Sequence, residues 1–374
     1  MNIATVVGAR PQFVKAAMVS LALRACGIRE SLIHTGQHYD ETMSDIFFHH
    51  LDIASPSINL GIGSGTHGLQ TGRMLEQIES VLLANRPAML VVYGDTNSTL
   101  AAALGAVKLG IPIAHVEAGL RSYDKRMPEE INRVLVDHAS DLHFAPTKSA
   151  SDNLLREGIP KSGIHVVGDV MYDAALYYGA KAEVESRILT DLNLRRGAFV
   201  LATVHRAENT DDDERLASVF FGLMPLAEQV PVVVPLHPRT KAALSRKGWL
   251  AEVAKTIRVI EPVGYLDMMM LEKNARVIVT DSGGVQKEAF FYEVPCVTLR
   301  DRTEWTELVE LGWNKIAPPT SATRVSEAVR GALEWTPVPC QNPFGDGQSA
   351  QRIASVIQES VAMSSPPALV SAER

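Results

Sequence analysis

The sequence predicts an α/β protein made of two Rossmann-like domains, each a parallel β-sheet covered by helices. Three observations support this fold class. The chain has 374 residues, a length at which a single hydrophobic core stops growing. Short apolar segments alternate with helix-length amphipathic segments, which is the pattern of consecutive βα units. This alternation occurs twice, with a less regular stretch between the two series.

The first series predicts an N-terminal domain over residues 1–168. Its strands are predicted at residues 3–7, 31–34, 88–93, 113–116 and 142–145. Its helices are predicted at residues 13–26, 41–51, 96–108 and 128–139. Because such strands run parallel, their carboxyl ends share one sheet edge, where ligands of this fold class bind.

The second series predicts a C-terminal domain over residues 169–348, and we interpret residues 169–189 with the polar turn 193–197 as the interdomain crossing. Its strands are predicted at residues 199–204, 232–235, 257–260, 277–280 and 296–299, with a helix near 215–228. A last amphipathic helix, about 349–374, is predicted to pack back on the N-terminal domain, with a frayed polar end from residue 364.

Composition excludes several classes of protein. A 46% hydrophobic share with 21% charged residues excludes a disordered or collagen-like chain, and the net charge of −7 argues against nucleic acid as a partner. The three cysteines form no CxxC pair and the histidines form no HExxH motif, so neither a disulfide framework nor a metal site is predicted. The absence of a signal-like start or a long apolar run predicts a cytoplasmic protein with no membrane partner.

Residues 63–68 formally match the dinucleotide-binding motif GxGxxG. That motif must follow a buried strand, but residues 53–60 contain Pro56 and several polar side chains. We therefore do not expect NAD to bind there. No G-K-[ST] sequence follows the segment, so it is not a P-loop. The segment is interpreted as a loop over the ligand cleft or as a plain surface loop.

Charged residues follow the strands of the N-terminal domain. Arg10 and Lys15 follow the first strand, Asp95 follows the strand at 88–93, Glu117 follows the strand at 113–116, and Glu129 begins the next helix. Each has an alternative structural explanation: Asp95 as a helix N-cap, the cations as solvated helix-start charges, and Glu129 as a helix-start charge that pairs with the residue four positions on, Arg133. The convergence of acids and cations at one edge favours a site.

The C-terminal domain carries a second set of polar residues after its strands. His205 and His237 follow two of them, and Ser282, Gly283 and Gly284 form a strand-to-helix turn. Two glycines at such a turn let backbone amides approach a phosphate. The alternatives are that Ser282 is only an N-cap and that His205 is a core histidine with satisfied hydrogen bonds.

The motifs of the whole chain resemble one family. They are G-A-R-P (8–11) with Lys15, Y-G-D-T (93–96), H-V-E-A-G-L-R (115–121), P-E-E (128–130) with N-R (132–133), H-R (205–206), D-S-G-G (281–284) and N-P-F-G-D-G (342–347). This set, spread from end to end, resembles the non-hydrolysing UDP-N-acetylglucosamine 2-epimerase family. The resemblance implies two Rossmann-like domains facing across a cleft (GT-B-like), a UDP-sugar in that cleft, a homodimer, and no redox cofactor or required metal.

The same resemblance implies roles for individual residues. Asp95, Glu117 and Glu129 match the catalytic carboxylates, and His205 matches a catalytic histidine beside the diphosphate. The matched UDP-binding positions are Arg10, Lys15, Ser282, Gly283, Gly284 and Glu288, with Glu288 on the ribose hydroxyls.

Two segments depart from the family pattern. The common T-E-R-P-E reads T-E-W-T-E at 303–307, which puts Trp305 where an arginine meets UDP, and Q-H-Y-D-E at 37–41 lacks the arginine of the activator site in many bacterial members. With R-M-P-E-E (126–130) and G-D-V-M-Y (168–172), the T-E-W variant resembles the branch that acts on UDP-2,3-diacetamido-2,3-dideoxyglucuronate. Residues predicted near the substrate are Arg121, Arg133, His237, Arg300, Arg302 and Trp305.

The predicted function is reversible C2 epimerisation of a UDP-2-acetamido sugar through elimination of UDP and its re-addition. Arg300 or Arg302 would meet a C6 carboxylate, with a pair of surface arginines as the alternative. Three other functions stay open at this point: a hydrolysing 2-epimerase, a GT-B glycosyltransferase, and a UDP-sugar sensor without catalysis.

Overall fold

The computed structural model describes residues 2–37, 56–335, 338 and 340–364, and the described residues divide into two compact units. The first unit lies within Met1–Ala174 and Asn342–Arg374, and the second lies within Ala175–Gln341. Each unit contains one parallel sheet with helices, which confirms the predicted α/β class.

The first unit contains a seven-stranded sheet in the order β3-β2-β1-β4-β5-β6-β7. Its strands are β1 (Asn2–Val7), β2 (Arg29–His34), β3 (Ile58–Asn59), β4 (Leu90–Tyr93), β5 (Ile113–Val116), β6 (Leu142–Ala145) and β7 (Ile164–Val166). Its helices begin with α1 (Arg10–Ala25), α2 (His67–Asn85), α3 (Asn97–Lys108), α4 (Pro128–Ala139) and α5 (Lys148–Arg156). The two outer strands β3 and β7 are short and were not predicted from the sequence.

The central strands of this sheet are buried on both faces. All four residues of β4 and all four of β5 are buried, which explains why their sequences do not alternate between apolar and polar residues, although β5 contains the buried His115. All neighbouring strands pair in parallel, so β1, β4 and β5 end at the same edge. Asp95 lies in the turn after β4 and Glu117 in the turn after β5, while the turn after β1 leads into the helix that carries Lys15.

Helix α6 (Val170–Glu185) contains the point at which the two units divide. The sequence was interpreted as an irregular crossing there, but the segment is helical. In the second unit the helices are α7 (Ile188–Asp191), α8 (Ala207–Thr210), α9 (Asp213–Ala227), α10 (Pro238–Arg246), α11 (Leu250–Val253), α12 (Tyr265–Asn274), α13 (Gly283–Phe291), α14 (Thr306–Glu310) and α15 (Ala322–Glu334).

The second unit contains a six-stranded parallel sheet in the order β10-β9-β8-β11-β12-β13. Its strands are β8 (Val200–Thr203), β9 (Val232–Pro235), β10 (Arg258–Ile260), β11 (Val277–Thr280), β12 (Cys296–Thr298) and β13 (Asn314–Ile316). Helix α9 starts two residues before the predicted position because the side chain of Asp212 caps it, accepting hydrogen bonds from the amides of Glu214 (2.9 Å) and Arg215 (3.0 Å).

The last helix, α16 (Ser349–Ser364), belongs to the first unit and packs on α1. The carboxylate of Asp173 accepts a hydrogen bond from the amide of Ala350 (2.8 Å), which fixes the start of α16. The units divide at residues 174 and 341, where the sequence prediction placed the changes at 168 and 348.

Some predictions fall outside the described residues: the helix at 41–51, most of the segment 37–41 and the end of the tail after residue 364. Within the described ranges, no helix combines the length and the apolar character that a membrane crossing needs.

Candidate active site

Gln12 connects two of the turns at the sheet edge of the first unit. Its side-chain oxygen accepts hydrogen bonds from the amides of Gly8 (2.8 Å) and Ala9 (3.0 Å), at the end of β1. Its amide nitrogen donates to the carbonyl of Tyr93 (2.8 Å) and to the hydroxyl of Thr96 (3.0 Å), at the end of β4. One buried glutamine thereby fixes the turn that carries Asp95.

The three predicted acids of the first unit lie within electrostatic range of one another. The charges of Glu117 and Glu129 both act on Asp95. Lys15 forms an ion pair with Glu117, and each of these two side chains is only 11% exposed. Nη2 of Arg133 lies 2.6 Å from Oδ2 of Asp95. The cluster therefore combines three carboxylates with two cations, as expected for a site that moves protons.

Asp95 sits in the middle of this cluster with its side chain 29% exposed. Removal from water raises the pKa of Asp95 above its usual range, and the two neighbouring carboxylates raise the pKa further, while Arg133 and Lys15 oppose them. The N-cap interpretation of Asp95 is wrong, because Thr96 caps α3 through the amide of Thr99.

Glu117 has a backbone conformation that only a few non-glycine residues adopt. Its φ is +69°, in the left-handed region. A side chain on Gly94, whose own φ is +61°, would lie 3.3 Å from Oε2 of Glu117 and 3.6 Å from Nζ of Lys15. Glycine at position 94 therefore leaves the space that the Lys15–Glu117 ion pair occupies.

Two residues of helix α4 hold Asp95 in place. Asn132 donates a hydrogen bond to the carbonyl of Asp95 (2.8 Å). Arg133 contacts both Glu130 (2.8 Å) and Asp95 (2.6 Å). Glu129 is exposed, which leaves its carboxylate open to solvent at the helix start.

The second unit holds its histidine through a buried aspartate. The carboxylate of Asp281 is fully buried and accepts hydrogen bonds from the amides of His205 (3.1 Å) and Arg206 (3.0 Å) and from the side chain of Asn209 (3.0 Å). Nδ1 of His205 lies 3.1 Å from Oδ1 of the same carboxylate. Because the His205 side chain is 39% exposed, the interpretation of a core histidine is wrong.

The environment of His205 favours its neutral form. Burial lowers the pKa of His205, the nearby cations Arg206 and Arg239 lower it too, and Asp281 opposes them. Its ring centroid lies 5.6 Å from that of His237. Nδ1 of His237 accepts a hydrogen bond from the amide of Arg239 (3.1 Å), so His237 also caps α10.

The predicted phosphate turn forms the start of α13. Ser282 is its N-cap, and Gly283 and Gly284 are the first two helical residues, whose amides have no partner within the helix. A side chain at Gly283 would overlap the carboxylate of Glu304, whereas one at Gly284 would lie 4.0 Å from Oε2 of Glu288. The Glu288 carboxylate therefore lies beside the start of the helix, one turn further along α13.

Three side chains at the altered T-E-W segment are buried: Lys287, Arg300 and Trp305. Arg300 is 6% exposed and lies 2.8 Å from Glu304 and 3.6 Å from Glu208, so the interpretation of two surface arginines is wrong for Arg300, while Arg302 is exposed. Nζ of Lys287 lies 4.1 Å from the centroid of the Trp305 ring.

The described contacts of Arg121 and Arg10 do not connect these two predicted residues to the acid cluster. Arg121 is buried and forms ion pairs with Asp137 (2.7 Å) and Glu157 (2.6 Å). Arg10 begins α1, and its side chain lies outside the described part of the structure. In the described ranges, no group of three or more histidine, cysteine or acidic side chains is arranged to hold a metal ion.

The profile of the family described as UDP-N-acetylglucosamine 2-epimerase matches residues 22–358. The chain belongs to this family. The predicted class of enzyme, an isomerase, is thereby confirmed.

This epimerase is similar in sequence to proteins with two substrate names. It is 49% identical to the UDP-N-acetylglucosamine 2-epimerase homolog of Methanococcus maripaludis, over 96% of this chain and 99% of that protein. It is 48% identical to the UDP-2,3-diacetamido-2,3-dideoxy-D-glucuronate 2-epimerase of Pseudomonas aeruginosa, with the same shares of both chains.

A solved structure resembles the epimerase throughout. The crystal structure of the Methanocaldococcus jannaschii UDP-GlcNAc 2-epimerase, in complex with UDP-GlcNAc and UDP, superposes with a TM-score of 0.89 at 46% identity. The match covers 96% of this chain and all of that one. The predicted family and fold class are therefore confirmed.

Sequence reasoning missed several residues that shape the epimerase's two sites. Gln12, Asn132 and Asp281 are buried polar side chains, each tying a strand-end turn to a neighbouring element. A usable signal was present in α4, where the polar residues Glu130, Arg133 and Asp137 recur at helical spacing on the buried face.

Proposed function

We propose that this epimerase interconverts the C2 epimers of a UDP-2-acetamido sugar by eliminating UDP to give a 2-acetamidoglucal and adding it back. The observation that carries the proposal is the cluster of Asp95, Glu117 and Glu129 with its two cations. The raised pKa of Asp95 lets that carboxyl hold a proton, while Glu117 is paired with Lys15. Carboxyl groups in such different environments can act as acid and base in one reaction.

The chemistry explains why several carboxylates are needed. The hydrogen at C2 of a 2-acetamido sugar is barely acidic, so direct deprotonation has a high barrier. Loss of the C2 proton together with departure of UDP from C1 gives a neutral glucal. One base cannot reach both faces of C2, so at least two acid/base groups are required. We assign the three carboxylates to this task collectively.

The second unit supplies what the leaving group requires. Departure of UDP places negative charge on its diphosphate, which the amides at the start of α13 would stabilise. Because Nδ1 of His205 faces the Asp281 carboxylate, its Nε2 would donate to the diphosphate once the ring takes up a second proton. Glu288, one turn further along α13, would accept hydrogen bonds from the ribose hydroxyls. These roles for Ser282, Gly283, Gly284 and Glu288 are part of the proposal.

The test is epimerisation in D2O followed by NMR. The proposal expects deuterium at C2 of both epimers, with the UDP-sugar conserved. Product without label at C2 would refute it. Stoichiometric release of UDP and free sugar would instead indicate the hydrolysing reaction, transfer to an added acceptor would indicate a glycosyltransferase, and tight UDP binding without turnover would indicate a sensor.

For the substrate, we propose the UDP-2,3-diacetamido-2,3-dideoxyglucuronate branch, on the strength of the T-E-W segment and the similar Pseudomonas aeruginosa enzyme. The C6 carboxylate needs a cation. Arg302 is exposed, whereas Arg300 is already paired with Glu304 and would have to exchange partners. A side-by-side assay of UDP-GlcNAc and the uronate should give a higher kcat/KM for the uronate, and equal values would remove this assignment.

We further propose that the epimerase is a homodimer that works in the cytoplasm. Helices α2, α3 and α4 pack side by side and expose the apolar residues Leu69, Val107, Ile131 and Leu135, a surface suited to a second copy. Sedimentation should give twice the mass of the chain, and the double substitution Ile131→Glu with Leu135→Glu should give monomers. A monomeric wild-type protein would refute the dimer.

A further inference from the structure

A buried histidine lies directly behind the proposed acid/base cluster. His115 is on β5 and fully inaccessible, as is the side chain of Asp137 on α4. Nδ1 of His115 lies 2.7 Å from Oδ1 of Asp137, and Nε2 lies 2.8 Å from the carbonyl oxygen of Gly94. The ring thus spans the space between α4 and the turn that precedes Asp95.

The carboxylate of Asp137 also reaches the turn on the other side of Glu117. Its Oδ2 accepts a hydrogen bond from the amide of Gly119 (3.1 Å) and lies 2.7 Å from Nη2 of Arg121. Although burial alone would raise the pKa of Asp137, the charges and hydrogen bonds of His115 and Arg121 hold it below its usual range. Asp137 is therefore ionised and accepts from all three groups.

The hydrogen-bond partners determine which protons the ring carries. A carbonyl oxygen and an ionised carboxylate are acceptors only. Nε2 of His115 must therefore donate to Gly94, and Nδ1 must donate to Asp137. Both ring nitrogens are therefore anchored, one to α4 and one to the turn before Asp95.

These contacts bracket both central acids. Gly94 precedes Asp95, and its carbonyl is held by His115. Glu117 lies midway between His115 and Gly119, the two residues of its turn that bond Asp137. The left-handed φ of Glu117 is sparsely populated by residues with a side chain, so the turn keeps this shape only where its surroundings enforce it.

We propose that His115 and Asp137 are positioning residues for the proton transfers at C2: together they fix the backbone on both sides of Glu117 and immediately before Asp95. Neither side chain touches the substrate, since both are inaccessible. This inference rests on the proposed function and names the device that sets the geometry of its acid/base groups. A small shift of such groups is enough to lower a rate about 100-fold.

The decisive comparison is between two substitutions of Asp137. Asp137→Ala removes the acceptor for His115 and Gly119, and kcat should fall about 100-fold while KM changes less than about 3-fold. Asp137→Asn keeps the anchors, because its oxygen accepts from Gly119 while its amide group donates to Nδ1 of a neutral ring that still bonds Gly94. This variant should keep kcat within about 5-fold of the wild type.

Glu157→Gln is the matched control. Glu157 bonds the far side of Arg121 (2.6 and 2.8 Å) and makes no bond to either turn that carries an acid. Its substitution disturbs the same ion-pair network and should lower thermal stability while leaving kcat unchanged. Circular dichroism checks that each variant is folded. UDP affinity, which the proposed function assigns to the second unit, provides a second check.

Three outcomes would overturn the inference while the proposed function stood: full kcat in Asp137→Ala, an equal loss of kcat in Glu157→Gln, or no recovery in Asp137→Asn. A wild-type protein that exchanges no C2 hydrogen in D2O would overturn the proposed function and the inference together. A loss that appears in KM alone would also contradict a positioning role, since the substrate would then be the group displaced.

Discussion

The two units hold their functional groups by different physical means. In the first unit, Asp95 and Glu117 are surrounded by charges of both signs, and ion pairs with Arg133 and Lys15 decide where protons can reside. In the second unit, the turn at Ser282 offers backbone amides at a helix start. The difference agrees with the roles proposed above, because a proton-transfer group must change charge during the reaction and a phosphate-binding group must not.

The same contrast is visible in the two buried aspartates that support the sites. Asp137 is held by His115 and Arg121, so its neighbourhood is ionic. Asp281 is held chiefly by neutral donors, the amides of residues 205 and 206 and the side chain of Asn209. Variants that change kcat without changing UDP affinity, or the reverse, therefore test whether the two units have separate roles.

The largest effect is expected for Asp95→Asn. Loss of this titratable carboxyl should lower kcat about 1000-fold, within the usual range for an acid/base group. UDP affinity should change less than about 2-fold, because the proposed function assigns nucleotide binding chiefly to the second unit. Steady-state kinetics and calorimetry measure the two quantities. Asp152→Asn, a change at an exposed helical ion pair, is the control and should leave both unchanged.

A smaller effect, on UDP binding rather than on kcat, is expected for variants of the second unit. Gly283→Ala should weaken UDP binding and also destabilise the fold by about 1–3 kcal/mol, because the new methyl group displaces Glu304 from its place beside Arg300. Gly284→Ala has room for its methyl group and should weaken UDP binding without loss of stability. Denaturant unfolding and UDP titration check this pair, and equal stability of the two variants would contradict the assigned role of Glu304.

The smallest effect concerns Glu272 in the second unit. It is buried, its Oε2 has no hydrogen-bond partner among the described residues, and burial followed by the charge of Glu288 raises its pKa well above the usual range. A carboxyl with a raised folded-state pKa stabilises the protein fully below the unfolded-state pKa. That contribution is lost as the pH rises through the folded-state pKa.

Glu272→Gln should therefore raise the Tm near neutral pH by about 3 °C, the shift that about 1 kcal/mol produces in a domain of this size. The gain should vanish toward about pH 4, where the wild-type carboxyl is protonated in both states. Thermal unfolding across this range checks the sign. A gain that grows as the pH falls would show that Glu272 is ionised in the folded protein.

Much of the site was predictable because its residues directly follow apolar strands. Asp95, Glu117 and the turn at Ser282 could be located from strand ends alone, since parallel strands share one edge. The partners of these residues were harder to predict. Arg133 pairs with Asp95 across 38 positions of sequence as well as with Glu130, whereas local spacing suggested Glu129.

The sequence by itself determined most of the central strands and their helices, the family, and the identity of the acids and the glycine turn, because each follows from local periodicity or a contiguous motif. The tertiary structure alone decided which charges pair with which, and which turns the buried carboxylates of Asp137 and Asp281 bond. Ion pairs and buried hydrogen bonds form between residues distant in the chain, so their partners and strength depend on packing and burial that no local pattern encodes.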